Sequence, residues 1–490
     1  MSVVGKPMHY INGGRLDPEN DEEMIDVIQP STGKVLRQMR PACKETVDKA
    51  VKCAKDAFKE WRLLAPSERG RILLKAAALL RERVEEVAEM EVLNNGKTIF
   101  EARFDIEDSA GTLEFLGGIA TTELAGQHMR LPGGSFGYTV REPLGVVVGI
   151  GAWNYPFQTA VWKSAPALVC GNAMVYKPSE FTPVTSLLLA ELYKDAGVPD
   201  GVFNVVQGKG QVGQMLCEHP DVAKVSLTGS VPSGVKVYNS CAKDIKCLTL
   251  ELGGKSPLIM FEDCDLDNAV KGALIANYLS QGQVCTNGTR VFVHESIYDK
   301  FVEKLLAAVR RIKIGDPMDE ETRVGATISK RQFDIVMGFV DRAKKQGAKV
   351  LCGGERVDLA GPLSGGYYIS PCVLGDVTDG MEVAINEVFG PVMSLLKFKD
   401  EVDVVQRANN SLLGLAAGLF TKDLKRAHEV ASKLEAGFVW INTYSWLPAE
   451  MPFGGVKRSG IGRENSKEVL NYYTNWKSVY VELNDVASPF

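Results

Sequence analysis

Residues 144–177 read LGVVVGIGAWNYPFQTAVWKSAPALVCGNAMVYK. Two short apolar runs in this stretch, Val146–Ile150 and Ala173–Tyr176, are separated by an apolar segment of helical length that follows Pro156. Runs of this kind are typical of parallel strands that are buried on both faces and joined by crossover helices. The stretch therefore predicts a doubly wound α/β domain.

The alternation of short apolar runs with helical stretches continues beyond this segment. Phe203–Val206 and Val222–Leu227 are further strand candidates, and Val184–Ala196 has the length of a crossover helix. A second series begins after Gly254, and its candidate strands are Leu258–Phe261, Thr289–Val293, Gly414–Phe420 and Phe438–Ile441. Its candidate helices are Asn268–Leu279, Ile297–Ile312, Lys330–Gln346 and Leu424–Leu434. The sequence therefore predicts two doubly wound domains.

The amino-terminal part of the chain predicts helices. Residues 44–61 place apolar side chains at three- and four-residue steps, as in a helix that packs by one face. A second helix is expected to begin at Ser67, a plausible N-cap, and to end at Gly96, which suits a left-handed C-terminal cap.

The composition excludes several classes of protein. At about 150 residues per domain, 490 residues correspond to roughly three units. The 61 acidic and 56 basic residues are mixed along the chain, which leaves no basic surface for nucleic acid or anionic lipid. No apolar run approaches about 18 residues, and residues 1–10 lack the zones of a signal peptide. We expect a cytoplasmic protein that acts on a small molecule, without nucleic acid or membrane as a partner.

Two segments fit neither predicted domain. Gly133–Arg141 interrupts the first domain, and Tyr472–Leu483 alternates polar and apolar residues near the end of the chain. Exposed strands of this kind need a partner edge. We therefore expect both segments to pair across subunits of an oligomer.

Cys285 is the candidate nucleophile. The ten cysteines form no Cys-x-x-Cys pair and no metal-binding pattern, so neither a disulfide framework nor a zinc site is expected. Cys285 is flanked by small and polar residues rather than packed among aliphatic ones, in 281–290 (QGQVCTNGTR). Such surroundings suit a partly exposed thiol that ionises readily. A spare surface thiol is the alternative.

Glu251 is the candidate general base for this thiol. Histidine is the usual base, but none of the five histidines lies in a plausible motif, which disfavours a cysteine protease. Glu251 lies in what the sequence predicts to be an open loop, and the two glycines that follow allow a ligand to approach the backbone. An ordinary loop carboxylate is the alternative.

Further polar residues follow the candidate strands, at the sheet edge where open α/β sheets bind ligands. The Asn154 amide is a neutral donor suited to an oxyanion that forms in the transition state. Lys177 and Glu180 can bond the hydroxyls of an adenosine ribose, and a free Glu180 would repel a 2′-phosphate, which favours NAD over NADP. A turn asparagine and a solvated Lys-Pro-Ser turn are the alternatives.

The loop 227–234 (LTGSVPSG) leads from a strand into a helix, whose free N–H groups can bind a diphosphate. A capped helix that binds no ligand explains this loop equally well. The G-x-G-x-x-G at 208–213 receives little weight, because such a turn often serves backbone geometry alone. Glu387 and Phe389 precede another strand and could hold a second ribose and flank a nicotinamide. An ordinary loop charge is the alternative for Glu387.

Taken together, these motifs resemble the NAD(P)-dependent aldehyde dehydrogenases over nearly the whole chain. The seven motifs that carry the resemblance are 153–156 (WNYP), 177–180 (KPSE), 228–230 (TGS), 251–255 (ELGGK), 282–285 (GQVC), 387–391 (EVFGP) and 452–460 (PFGGVKRSG). Residues 149–158 and 276–285 are similar to the family 9 branch, which oxidises betaine aldehyde and other aminoaldehydes and includes a step of carnitine biosynthesis.

The resemblance implies a role for each candidate residue. Cys285 attacks the aldehyde, Asn154 and the Cys285 N–H hold the oxyanion, and hydride passes to NAD. Glu251 then activates water to hydrolyse the thioester, and Glu464 joins a proton path. The implied cofactor contacts are Lys177 and Glu180 at the adenosine ribose, Gly229, Ser230 and Ser233 near the diphosphate, and Trp153, Glu387 and Phe389 on the nicotinamide side.

The same branch implies a substrate with a quaternary ammonium or amino group. Aromatic faces bind such cations, and the candidates near the active-site motifs are Tyr155, Trp162, Trp446 and Phe453. Trp162 as a core residue is the alternative. Plant relatives carry a tryptophan where this chain has Leu279, so a complete aromatic cage is not implied.

The resemblance also implies a domain organisation. We expect an NAD-binding domain from residues 1–121 and 144–253, a catalytic domain from 254–460, and oligomerisation strands at 122–143 and 470–490 of a homotetramer. Two other functions are weighed against aldehyde oxidation. A crystallin-like structural protein would bind dinucleotide without turnover, and a cysteine hydrolase would cleave esters without a cofactor.

Overall fold

The computed structural model of the protein describes residues 8–490. Residues 1–7 lie outside the described part, although they belong to the predicted NAD-binding range and to the segment in which no targeting signal was predicted. Among residues 8–490, no helix has both the length and the apolar character needed to cross a membrane.

Strands are distributed along the whole described chain. In chain order they are β1 (His9–Ile11), β2 (Gly14–Leu16), β3 (Ile25–Gln29), β4 (Lys34–Met39), β5 (His128–Arg130), β6 (Phe136–Pro143), β7 (Val146–Ile150), β8 (Ala173–Lys177), β9 (Phe203–Val205), β10 (Val222–Thr228) and β11 (Cys247–Glu251). They continue with β12 (Pro257–Met260), β13 (Arg290–His294), β14 (Lys349–Cys352), β15 (Cys372–Gly375), β16 (Val392–Phe398), β17 (Leu413–Gly414), β18 (Ala416–Phe420), β19 (Phe438–Ile441), β20 (Val456–Lys457), β21 (Gly460–Ile461) and β22 (Thr474–Val481).

Helices precede and connect the strands. The α-helices are α1 (Lys44–Trp61), α2 (Pro66–Glu82), α3 (Val84–Asn95), α4 (Ile99–Glu123), α5 (Pro156–Val169), α6 (Thr185–Ala196), α7 (Gly210–Glu218), α8 (Val231–Ala242), α9 (Leu266–Tyr278), α10 (Tyr298–Val309), α11 (Lys330–Lys345), α12 (Glu382–Ile385), α13 (Glu401–Asn409) and α14 (Leu424–Lys433). Short 3-10 helices span Pro132–Gly134, Leu279–Gly282, Glu295–Ile297, Gly361–Leu363 and Lys467–Tyr472.

The first large sheet confirms the predicted doubly wound architecture. Its eight strands lie in the order β2-β1-β9-β8-β7-β10-β11-β21, and the five from β9 to β11 are parallel. Helices α1 to α8 bury both faces in two apolar clusters. The short strand β21 pairs antiparallel with β11 and places Gly460 opposite Glu251. The segment after residue 459 therefore packs on the first sheet.

The second large sheet has seven strands in the order β14-β15-β16-β13-β12-β18-β19. Its strands are parallel except β14, which pairs antiparallel with β15 at one edge. Two apolar clusters cover its faces. The chain therefore contains two α/β domains, as predicted.

A third, three-stranded sheet corrects the expected pairing of the arm. Strand β22 pairs antiparallel with β6 along its whole length, from Thr474 opposite Pro143 to Val481 opposite Phe136, and β5 pairs with the other side of β6. The two segments predicted to pair across subunits thus pair with each other within one chain, because their alternating patterns are complementary. Strands β5 and β22 form the edges of this sheet.

Several predicted boundaries also change. The helix expected to run from Ser67 to Gly96 is two helices, because Arg83 leaves the helical conformation and two glutamates favour a new N-terminus directly after it. The first of them begins at Pro66, while Gly96 adopts the predicted left-handed cap with φ of 89°. The run 414–420 is interrupted at Leu415, and β11, β14 and β15 were not predicted.

Candidate active site

The predicted nucleophile and base lie together where the carboxyl end of β11 meets a loop of the second domain. Glu251 is the last residue of β11, and Cys285 lies between the 3-10 helix Leu279–Gly282 and β13. The thiol and the carboxyl lie close enough for each to shift the pKa of the other. The structure therefore brings together two residues that the sequence had linked only by their expected roles as nucleophile and base.

A strained turn presents Cys285. Ser280 and Gln281 adopt left-handed φ angles of 48° and 56°, and Gly282 follows with φ of 70°. A Cβ atom at Gly282 would lie 2.2 Å from the carbonyl oxygen of Gly390, so only glycine fits there. The backbone amide of Ser280 donates to a carboxyl oxygen of Glu101 at 2.8 Å. This hydrogen bond ties the turn to helix α4 of the first domain.

The Cys285 thiol is half-buried and packs against the apolar core of the second domain. Burial raises the pKa of the Cys285 thiol well above its ordinary value, and the nearby Glu251 and Glu387 carboxyls raise it further. The sequence predicted surroundings that favour the thiolate, and this expectation was wrong. Deprotonation of Cys285 therefore requires a base at the site.

Glu251 can supply that base. Glu251 is only 3% exposed, and neither of its carboxyl oxygens has a hydrogen-bond partner in residues 8–490. Burial raises the pKa of Glu251 well above its ordinary value, and the neighbouring Glu464 adds to this effect. The expected open loop is instead the end of a buried strand, and a buried carboxylate is a stronger base than an exposed one.

Asn154 contacts the loop that carries Cys285. It follows β7, is 5% exposed, and donates from Nδ2 to the carbonyl oxygen of Gln283 at 2.9 Å. An amide nitrogen carries two hydrogens, so one remains for an oxyanion. Asn95, which sequence reasoning treated only as part of a helix end, donates to the carbonyl oxygen of Trp153 at 2.6 Å and fixes this turn.

Lys177 closes β8 and is almost fully buried. Its Nζ donates to the Pro178 carbonyl at 3.0 Å, which leaves further ammonium hydrogens for a ligand. Burial lowers the pKa of Lys177, and the half-buried Glu180 raises it. A Cβ at Gly213 would lie 3.7 Å from the Lys177 Cδ atom. The helix that follows the Gly-rich turn therefore packs next to the Lys177 side chain.

The N-terminus of helix α8 lies at the end of β10. Ser230 caps the helix, since its hydroxyl accepts from the Ser233 amide at 3.4 Å and lies 3.0 Å from the Ser233 hydroxyl. Both serines are exposed, and Gly229 carries no side chain that would cover the helix end. The predicted diphosphate residues are therefore adjacent and accessible.

Glu387, Phe389 and Trp153 also lie together. The Glu387 carboxyl accepts from the Gly254 amide at 3.2 Å, and burial raises the pKa of Glu387 to about 7. The Phe389 ring meets the Trp153 ring edge-on at 5.1 Å. A carboxyl with one free oxygen and a nearby pair of aromatic rings have the chemistry of a site for a sugar and a flat ring.

Glu464 is buried behind Glu251. It accepts from Lys163 Nζ at 2.9 Å and from the Ser226 hydroxyl at 3.3 Å. Lys163 was missed by sequence reasoning, although it is the only charged residue in helix α5. Glu464 thus lies in a hydrogen-bonded polar cluster, as a proton path would require.

The four aromatic residues predicted to bind a cation differ in their burial and in their ring contacts. Trp162 and Phe453 are buried and pack against each other, with ring centres 5.5 Å apart. Trp446 is 59% exposed and lies 5.9 Å from Phe104, which the sequence did not indicate. Tyr155 is half-buried and lies under the Lys97 ammonium, 4.1 Å from ring centre to Nζ.

A buried charged cluster that sequence reasoning missed packs against the Tyr155 ring through Lys97. Lys97 forms an ion pair with Asp105, and burial raises the pKa of both Glu91 and Glu101 to about 7. Helices α3 and α4 carry several exposed charges as well, so the sequence did not show which of their charged side chains are buried. Among residues 8–490, no group of three or more His, Cys, Asp or Glu side chains could hold a metal ion.

Comparison with known sequences gives the family of the chain. The model of the aldehyde dehydrogenase family matches residues 17–479. The chain is similar to the 4-trimethylaminobutyraldehyde dehydrogenase of Homo sapiens, with 56% identity over 489 residues that cover 100% of this chain and 99% of the relative. The 4-trimethylaminobutyraldehyde dehydrogenase A of Danio rerio is also 56% identical, over 100% of this chain and 96% of that protein.

Solved structures agree with this assignment. An NAD+ complex of an aldehyde dehydrogenase from Bacillus cereus superposes with a TM-score of 0.94 at 40% identity, covering 98% of this chain and 97% of that one. A betaine aldehyde dehydrogenase from Staphylococcus aureus in complex with NAD+ gives a TM-score of 0.94 at 36% identity, covering 98% and 95%. The chain belongs to the aldehyde dehydrogenase family.

Proposed function

We propose that the protein oxidises aldehydes to carboxylic acids with NAD, through covalent intermediates on Cys285. The observation that carries this proposal is a buried, unpartnered Glu251 carboxyl close to the Cys285 thiol, with the Asn154 amide bonded to the loop that holds Cys285. A cysteine hydrolase would need only the Cys285 thiol and the Glu251 carboxyl. The site formed by Glu387, Phe389 and Trp153 supports an oxidation instead.

In the first half of the reaction, the thiol gives its proton to Glu251 and the sulfur attacks the aldehyde carbon. A C–S bond forms, and the carbonyl electrons move to oxygen, where the Asn154 amide and the Cys285 backbone N–H donate to the oxyanion of the thiohemiacetal. When bound, NAD accepts the hydride that leaves this carbon as the C=O bond of the thioester forms. The aldehyde carbon is thereby oxidised by two electrons.

In the second half, Glu251 first passes the thiol proton on toward Glu464 and the solvent. It then takes a proton from water while the water oxygen attacks the thioester carbon. The C–S bond breaks, the Cys285 sulfur leaves as thiolate, and the carboxylic acid is released. Because Glu251 is buried, it is basic enough for this role near neutral pH. One carboxyl thus serves both proton transfers.

The cofactor residues fit NAD in three places. Lys177 and Glu180 would bond the adenosine ribose, and Gly229, Ser230 and Ser233 would hold the diphosphate at the positive end of helix α8. Glu387 would accept from the nicotinamide ribose while Trp153 and Phe389 flank the ring. The free carboxyl of Glu180 disfavours a 2′-phosphate, so NAD is preferred over NADP.

For the substrate, we propose 4-trimethylaminobutyraldehyde, betaine aldehyde and other aminoaldehydes. The names of the similar proteins from Homo sapiens and Staphylococcus aureus support this class. Tyr155 and Trp446 offer aromatic surface that is not fully buried, as contact with a quaternary ammonium requires. Trp162 and Phe453 are buried and would form an apolar wall next to the aldehyde group of the substrate.

We further propose that the residue ranges 1–121 with 144–253, 254–460, and 122–143 with 470–490 act as NAD-binding domain, catalytic domain and oligomerisation arm of a cytoplasmic homotetramer. The edges of β5 and β22 support the last assignment, because exposed strand edges favour pairing with another chain.

The test measures NADH produced by the purified protein with 4-trimethylaminobutyraldehyde, 4-aminobutyraldehyde and butyraldehyde, which share a chain length. We expect turnover with all three and the highest kcat/KM with the trimethylammonio compound. Cys285→Ala should abolish turnover while NAD still binds. Absence of NADH with every aldehyde would contradict the oxidation, and preference for butyraldehyde would contradict only the substrate class.

A further inference from the structure

Two adjacent asparagines end helix α3 in the interior of the protein. Asn94 and Asn95 are both 0% exposed, and the left-handed Gly96 follows them directly. Each side-chain amide donates to a backbone carbonyl that is more than fifty residues away in the sequence. A buried amide is costly unless its hydrogen bonds are made, so the loops that these two side chains reach are held at fixed positions.

Asn95 contacts the turn that carries the proposed oxyanion donor. Its Nδ2 donates to the Trp153 carbonyl oxygen at 2.6 Å and to that of Asn154 at 3.4 Å. Its Oδ1 accepts from the Lys97 amide at 3.1 Å, which fixes the orientation of the Asn95 side chain. The two carbonyls belong to the peptide bonds on either side of Asn154. Asn95 therefore sets the backbone from which the Asn154 side chain projects.

A closed circuit of hydrogen bonds joins this turn to the loop of the nucleophile. The Asn154 amide donates to the Gln283 carbonyl oxygen at 2.9 Å, and the Gln283 side-chain oxygen accepts from the Ile328 amide at 3.0 Å. Two residues before Ile328, the Ala326 amide donates to the Gly96 carbonyl oxygen at 3.0 Å. The circuit thus returns to the end of helix α3, which holds the oxyanion turn and the nucleophile loop in one arrangement.

Asn94 contacts the proposed cofactor side instead. Its Nδ2 donates to the Phe181 carbonyl oxygen at 3.1 Å, and its Oδ1 accepts from the Val184 amide at 3.0 Å. Both partners lie in the segment that directly follows Lys177 and Glu180, the residues proposed to bond the adenosine ribose. Asn94 therefore fixes the backbone next to these residues.

We propose that Asn94 and Asn95 are positioning residues with separate tasks. Asn95 orients the Asn154 amide for the oxyanion, and Asn94 holds the loop of Lys177 and Glu180 in the form that binds NAD. This inference rests on the proposed function. The tasks are separable because the two amides reach loops that follow different strands, β7 for Asn95 and β8 for Asn94.

The test replaces each asparagine by alanine in the full-length protein and measures two quantities. Stopped-flow absorbance gives the rate of first-turnover NADH formation from 4-trimethylaminobutyraldehyde at saturating NAD, and calorimetry gives the NAD Kd. Asn95→Ala should slow the first turnover about tenfold to a hundredfold, since small displacements of an oxyanion donor have effects of this size, with little change in the NAD Kd. Asn94→Ala should raise the NAD Kd about fivefold, the effect of one lost hydrogen bond, with little change in the first turnover.

Asn204→Ala is the matched control. Asn204 is also 0% exposed, and its amide donates to the Gly201 carbonyl oxygen at 2.6 Å while its oxygen accepts from the Asn12 amide at 3.0 Å. It lies on β9, and its partners are outside the loops of the proposed site. This variant should lower the Tm as the other two do, but leave both the first turnover and the NAD Kd unchanged.

A double variant tests whether Asn95 acts through Asn154. In an Asn154→Ala background, Asn95→Ala should cause little further loss of the first-turnover rate, because residues that act as a unit are not additive. Asn95→Ser replaces Asn95→Ala if the alanine variant does not fold. Its hydroxyl can still accept from the Lys97 amide but is too short to reach the Trp153 carbonyl, so the first turnover should again be slow.

Three results would overturn the inference. They are equal changes of both quantities in Asn94→Ala and Asn95→Ala, no change in either quantity, and a fully additive loss in the double variant. A wild-type protein that binds NAD but forms no NADH with any aldehyde would instead contradict the proposed function.

Discussion

The carboxyl group of Glu101 accepts a hydrogen bond from the backbone amide of Ser280 at 2.8 Å, and both residues are buried. Glu101 belongs to helix α4 of the first domain, whereas Ser280 begins the turn that presents Cys285 in the second. The position of the nucleophile thus depends on a carboxyl group outside its own domain.

Replacement of Glu101 by alanine should therefore lower both stability and activity. The unsatisfied Ser280 amide costs about 1–3 kcal/mol, and the left-handed turn loses its anchor. We expect a lower Tm by thermal unfolding and at least a tenfold lower kcat. Glu101→Gln retains a carbonyl acceptor and should remain within about threefold of the wild-type kcat. Equal kcat in Glu101→Ala and wild type would show that the turn holds its shape alone.

Binding of NAD should weaken as the pH falls through about 7. Burial raises the pKa of Glu387 to about 7, and the carboxyl must be ionised to accept from both ribose hydroxyls. Protonation below this pH removes an acceptor, so the NAD Kd should rise by up to about tenfold per pH unit and become constant above about pH 8.

Titration calorimetry between pH 6 and 9 measures this dependence. In Glu387→Gln the NAD Kd should be higher than that of the wild type at high pH. It should also be nearly independent of pH. A wild-type Kd that does not change across the range would show that Glu387 is not the titrating contact.

Gly282 should tolerate no side chain. Its φ is 70°, and a Cβ would lie 2.2 Å from the Gly390 carbonyl oxygen, so Gly282→Ala must displace the turn that holds Cys285. We expect kcat to fall at least a hundredfold, because displacement of a reacting group by about 1 Å has effects of this size. The NAD Kd should change little.

Gly380→Ala is the matched control, since a Cβ there meets no atom within 4 Å. It should leave kcat unchanged. Wild-type turnover in Gly282→Ala would show that the loop can reach its active geometry from another backbone conformation.

The sequence predicted the strands and helices that have a periodic apolar pattern, and the functional residues that directly follow them. Strands β7 and β8 followed from apolar runs, and Cys285 and Asn154 followed from polar residues at loops after such elements. Residues such as Lys163 and Glu101 could not be identified, because the partner of each is distant in sequence. Glu101 is also one of several charged residues in its helix, and nothing in the pattern distinguishes it from the exposed ones. The pKa of Cys285 was misjudged for a related reason, since polar neighbours in sequence do not report the apolar residues that pack on the thiol.

Trp446 should bind the positively charged end of the substrate. Its ring is 59% exposed and lies 5.9 Å from Phe104, on the helix α4 whose Asp105 pairs with Lys97 beneath Tyr155. A cation–aromatic contact contributes roughly 0.5–2 kcal/mol, so Trp446→Ala should raise the KM for 4-trimethylaminobutyraldehyde about twofold to thirtyfold.

The neutral analogue separates charge recognition from packing. Butyraldehyde has no positive charge, so its KM should be nearly the same in Trp446→Ala and wild type, and Trp446→Phe should restore most of the affinity for the trimethylammonio compound. An equal rise in KM for both aldehydes would mean that Trp446 supports the channel by contact alone. In that case the preference for a quaternary ammonium must come from Tyr155 or from another part of the channel.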